Sequence, residues 1–117
     1  MKPGARLASA IDVLGEVLNR HRPVALALSD WGKSNRFAGS GDRSAIGNLV
    51  YDVLRRKSSL AAQMQSDAPR ALIIGAAPRA FGVPHDEIDS FADGSKYALS
   101  PLTAEESMGL RSELSSE

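Results

Sequence analysis

Gly32-Lys33-Ser34 has the ending of a phosphate-binding loop, in which backbone amides and a lysine cradle a nucleotide. Position 27, however, is Ala27 where that loop needs its first glycine, and no strand pattern precedes it. Gly39-x-Gly41 lacks the third glycine and the strand of a dinucleotide loop, and reads better as a loop-to-helix turn. His21 and His85 stand far apart without metal-ligand spacing. Asp86, Glu87 and Asp89 could suggest acid/base work or a cation, but acidic residues at a helix start are ordinary. The chain has no cysteine, which removes disulfides, thiolate metal sites and cysteine nucleophiles together. Nothing in these patterns assembles a catalytic, metal or cofactor site.

The basic residues offer a different chemistry. Arg20, His21 and Arg22 follow one apolar-periodic segment, Arg43 opens another, and Arg55, Arg56 and Lys57 close it. Each has a structural account. Cations in a last helical turn complement the dipole, Asp52 can neutralise an arginine one turn away, and Arg43 lies near enough to the buried side for an internal ion pair. Taken together, Arg20, Arg22, Arg43, Arg55, Arg56 and Lys57 form a candidate phosphate-binding surface, because several Lys/Arg displace condensed counterions collectively. Whether they share a face is not legible from sequence.

The elements that must position them are helical. Pro3 near a start, then Leu7, Ile11, Leu14 and Leu18, predict a helix to about Asn19. Pro23 suits the first turn of a second helix through Val24, Leu26, Leu28 and Trp31, with Gly32 ending it. A polar connection follows to Gly41, in which Phe37 is the one large apolar residue and the expected anchor. Ser40, Gly41 and Asp42 offer cap chemistry for a third helix whose stripe is Ile46, Leu49, Val50 and Val53, ending near Lys57. On that helix Arg55 points away from the stripe, and Arg56 lies on its flank. Leu60, Ala61 and Met64 suggest a short fourth helix. Asp67 and Pro69 open a fifth through Leu72, Ile73 and Ala76, which Pro78 should end or kink. Pro84 opens a brief helix with Ile88 and Phe91, a loop runs from Asp93 to Pro101, and Thr103 with Glu106 has capping-box spacing. Only Met108, Leu110 and Leu114 follow as apolar residues, which makes the last helix marginal. No alternating run argues for a strand.

Composition agrees with one all-helical domain of about five to seven helices. At 117 residues, 43% hydrophobic and 24% charged, the chain can bury a single modest core. No apolar run approaches the roughly 18 residues that span a bilayer, and residues 1–22 lack the uninterrupted apolar stretch of a signal peptide. A cytoplasmic location without membrane or metal is the expectation. The net charge of zero hides a division: residues 1–60 hold ten Lys/Arg against five Asp/Glu, and residues 61–117 hold four against nine. The halves are therefore +5 and −5, enough to give a neutral molecule an anion-attracting face.

Leu7-Ala8-Ser9-Ala10-Ile11-Asp12-Val13-Leu14, followed by the run from Asp42-Arg43 through Ile46-Gly47-Asn48-Leu49-Val50-Tyr51 to Leu54-Arg55-Arg56, resembles the amino-terminal domain of the NOL/Nop2/Sun family of RNA cytosine methyltransferases. In bacterial members that domain is similar to the antitermination factor NusB, an RNA-binding helical bundle. The resemblance spans roughly residues 5–92, about three-quarters of the chain, and departs at Pro78. It implies a NusB-like RNA-binding domain over residues 1–95, with 96–117 a linker or frayed helix toward a missing methyltransferase domain. Family members methylate cytosine carbon-5 from S-adenosylmethionine with a cysteine nucleophile, so no catalytic or cofactor residue carries over to a chain without cysteine. What the resemblance implies is a supporting role. The domain would hold structured RNA, foremost ribosomal RNA, for a methyltransferase domain in cis or in trans. The alternative is a helical module that docks a catalytic or other protein and never touches RNA.

Overall fold

The computed structural model describes residues 1–94 and 99–112. They form seven helices: α1 (Pro3–Asn19), α2 (Val24–Ser34), α3 (Ser40–Arg55), α4 (Lys57–Met64), α5 (Pro69–Phe81), α6 (Glu87–Phe91) and α7 (Ala104–Ser112). There is no strand among the described residues, so the all-α expectation holds. No helix is long and apolar enough to cross a membrane.

Helices α1, α3 and α5 pack on one another and enclose the core. From α1 come Leu7, Ala10, Val13 and Leu14, and from α3 come Ile46, Leu49, Val50 and Val53. Both sets lie on one face at helical spacing. Helix α5 is different, because every residue from Ala71 to Pro78 is buried. It is enclosed by α1, α3, α4, α6 and α7. Helix α2 packs on α1 and α3 at the edge of the bundle and buries only Ala27 and Gly32.

Several boundaries differ from the sequence expectation, each for a local reason. Gly32 does not stop α2; it is buried two residues before the end, and the Asn35 side-chain amide terminates the helix by donating to the Trp31 carbonyl at 2.8 Å. The helix expected to run to near Lys57 breaks at Arg56, whose N–H is shared between the Asp52 and Val53 carbonyls, both at 3.1 Å. Ala68, not Asp67, precedes α5. Pro78 does not end α5, which continues to Phe81. An internal proline costs about 3 kcal/mol. Leu72, Ile73 and Ile74 are fully buried on the same helix, each contributing roughly 1.5–3 kcal/mol, so packing outweighs the loss. The stop falls at Gly82, whose left-handed φ of 68° brings the Val83 N–H to the Pro78 carbonyl at 3.0 Å.

The described part of 96–117 is not a loose extension. Leu99 and Leu110 join the core, and α7 packs on α4 and α5. Thr103 and Glu106 make the expected capping box: the Thr103 N–H donates to the Glu106 carboxylate at 2.9 Å, and the Glu106 N–H donates to the Thr103 hydroxyl at 3.1 Å. Arg70 on α5 fastens this end by donating to the same carboxylate at 2.6 and 3.1 Å. Burial alone would push Glu106 up, but Arg70 and Thr103 together hold it below the usual carboxylate range. Leu114 and the remainder of the terminus from 113 on, with residues 95–98 of the loop before α7, lie outside the described residues.

Candidate functional site

The six cations singled out in the sequence do not form one set. Arg20 pairs with Glu16 one turn back, at 3.3 Å. Arg22 is bonded to Asp30 on α2, which raises the guanidinium's affinity for its proton. At the far end of α3, Arg56 grips Asp52 with two nitrogens, at 2.6 and 3.3 Å, while Arg55 reaches the same carboxylate at 3.7 Å and stays 70% exposed. The expected pairing of Asp52 with either arginine is therefore realised with both. Among the described residues, only Arg43 and Lys57 of the six lack a carboxylate partner. Arg43 opens α3 and Lys57 opens α4, so about 14 residues at 1.5 Å per residue, roughly 20 Å, separate them along the chain of helices.

For Arg43 the sequence leaves open both an internal ion pair and a place in the phosphate-binding set; the internal pairing falls to its neighbour Asp42. Asp42 is the buried carboxylate, 8% exposed. It accepts from the Arg6 Nε at 2.9 Å, the Met1 ammonium at 3.3 and 3.4 Å, and the Gly39 N–H at 3.1 Å. The Arg6 bond, with the Gly39 amide and the ammonium, holds its pKa below the usual carboxylate range against the opposing effect of burial. Because Asp42 is engaged on the inner side, Arg43 is left exposed and charged at the surface.

Arg43 does not stand alone there. With Lys33 and Arg36 it lines a concavity of about 440 Å³ between the last turn of α2, the following loop and the first turn of α3. Leu28, Ser29 and Gly32 complete the lining, so among the described residues no carboxylate lines it with the three cations. Gly32 sits close beneath Arg43, since a Cβ there would come 3.3 Å from the Arg43 Cδ. Lys33 and Arg36 were not among the sequence candidates. A signal was present: between Asp30 and Asp42 the chain carries cations and no acid. Such a corner can hold an anion with more than one phosphate oxygen.

Phe37 corrects a second expectation. It does not anchor the loop; Ala38 does, buried at 4%, with its N–H donating to the Asn35 carbonyl at 3.0 Å. Phe37, next in sequence to Arg36, is instead 72% exposed and lines a second hollow of about 490 Å³ with Trp31, Ser9 and Asp12. On the opposite side of the molecule's sequence, Met108 is 63% exposed over a groove between α4 and α7.

Among the described residues, no group of three His, Asp or Glu side chains is placed to hold a metal ion. The class of protein that fold and site define is thus an all-α bundle with a cationic corner. Comparison with known proteins finds no matching family model, no matching curated protein and no matching solved structure.

Proposed function

We propose that the chain is a NusB-like RNA-binding domain that positions ribosomal RNA for an S-adenosylmethionine-dependent cytosine-C5 methyltransferase domain, supplied in cis or in trans. The observation that carries this reading is the corner at which Lys33, Arg36 and Arg43 line one concavity without an opposing carboxylate. Unopposed cations at a concave surface are the electrostatic footprint of a phosphate backbone. The resemblance supplies the rest: the Asp42-Arg43 start, with Asp42 turned inward and Arg43 outward, and the Leu54-Arg55-Arg56 end. The absence of cysteine from the chain leaves methyl transfer by the family's nucleophile to the other domain.

Binding of the purified chain to a ribosomal RNA stem-loop tests the reading. Arg43→Glu should lower affinity by about tenfold or more, since a charged contact becomes a repulsion. Unchanged affinity would remove the corner from the interface.

The second reading, a protein-docking module, draws on two observations. Four of the six sequence candidates are paired with carboxylates, and Met108 lies exposed over the α4–α7 groove. It predicts no RNA affinity, and association with a separately supplied methyltransferase domain that Met108→Glu abolishes.

A further inference from the structure

We infer that the α2–α3 corner takes a single-stranded stretch of RNA, with one unpaired base stacked on Phe37 and the adjoining phosphates held by Lys33, Arg36 and Arg43. The inference rests on the RNA-binding reading and specifies which form of RNA that site takes. A phenylalanine 72% exposed costs apolar hydration with no packing gain inside the bundle. Its position is nonetheless fixed, because buried Ala38 follows it and the Asn35 carbonyl and side-chain amide tie the turn to Ala38 and Trp31. The ring is therefore displayed on a braced loop.

Charge is sorted around that ring. Among the described residues, the charged groups lining the concavity are the cations Lys33, Arg36 and Arg43. The hollow that Phe37 borders is lined by Asp12 and Ser9 with Trp31, Ala8, Asn35 and Met1, whose ammonium is taken up by Asp42. A phosphate would be repelled by Asp12 and attracted to the cations, so a bound nucleotide is oriented with its phosphate in the concavity and its base in the hollow. There the carboxylate and the hydroxyl face base edges, and Asp12 can accept from an exocyclic amino group. A base within a duplex has both faces covered by its neighbours and cannot offer one to Phe37, whereas bases of loops and single strands can.

Fluorescence anisotropy of the chain with an eight-nucleotide RNA, free and annealed to its complement, tests this directly. Phe37→Ala should weaken the single strand on the order of tenfold and leave the duplex unchanged, while Phe37→Tyr keeps the affinity. Trp31, the chain's one tryptophan, lines the same hollow, so its emission should change on addition of the single strand and not of the duplex. If Phe37→Ala binds the single strand as tightly as the unaltered chain while Arg43→Glu binds both RNAs more weakly, the stacking site is overturned and the RNA-binding reading stands. If Arg43→Glu and Lys33→Glu also leave binding unchanged, or the chain binds neither RNA, that reading itself falls. Circular dichroism of Phe37→Ala should match the unaltered chain, because the side chain contributes little to the core.

Discussion

Asp42 sets the frame of the corner without lining it, and Gly32 lies in its wall. Asp42 gathers Arg6, the Met1 ammonium and the Gly39 amide, and so fixes the start of α3 against the start of α1. Its pKa is lower in the folded state than in the unfolded one. The stabilisation is therefore complete above the unfolded value of about 4 and is lost as pH falls through the lower folded value. Urea unfolding followed from pH 7 to pH 3 should show stability falling in the acid range, and Asp42→Asn should flatten that fall while lowering stability at pH 7. For Gly32→Ala, the added Cβ meets the Arg43 Cδ at 3.3 Å, so that side chain must give by a few tenths of an ångström. The gain in helix propensity, about 1 kcal/mol, opposes the crowding. Stability should stay within about 1 kcal/mol of the unaltered chain by urea unfolding. The sequence places Asp42 and Arg43 at the start of α3 but leaves open which of them is paired internally. Which of two adjacent residues faces inward depended on Arg6 and Met1, which lie 36 and 41 residues away in the chain.

At the scale of elements, α1 and α3 were legible because each buries one face and so prints a helical period on its sequence. Helix α5 prints none, being buried on all sides from Ala71 to Pro78, and its length was hidden by a proline rule that packing overrides. Replacing Pro78 by Ala restores a backbone donor at the expense of some buried ring surface, and should stabilise the chain by about 1–2 kcal/mol in urea unfolding. The seat of α7 was illegible for another reason, since it rests on a contact between small residues and one methionine. Met64 from α4 lies against Gly75 and Gly109, where an added Cβ would come within 2.9 Å of its Cγ and 2.6 Å of its Sδ. Two glycines far apart in sequence carry no periodic signal. Gly75→Ala should cost about 1–3 kcal/mol through overpacking, read as a lower urea midpoint. Gly109→Ala should do the same, with α7 the first helix released.

On the scale of the whole molecule, the charge division along the sequence does not leave all the basic residues available together. Asp52, Asp30 and Glu16 absorb the cations at Arg55, Arg56, Arg22 and Arg20. Among the described residues, Lys57 remains unopposed, as does a smaller set at the α2–α3 corner, with Lys33 in the last turn of α2, Arg36 in the loop and Arg43 in the first turn of α3. Fold class was accessible because it follows from short-range periodicity. The site was accessible only in part, because an ion pair decides whether a cation is available and pairing is a property of the folded chain. If the corner engages a phosphate backbone, binding must release counterions in proportion to the phosphates neutralised. The decisive measurement is the affinity of the chain for a ribosomal RNA stem-loop between 50 and 200 mM salt, for the unaltered chain and for Lys33→Glu/Arg43→Glu. With about three phosphates neutralised, the logarithm of affinity should fall against the logarithm of salt with a slope of about −2 to −3, and the double variant should reduce it to about −1 or less. A slope near zero, or one that the double variant leaves unchanged, would contradict the proposed function.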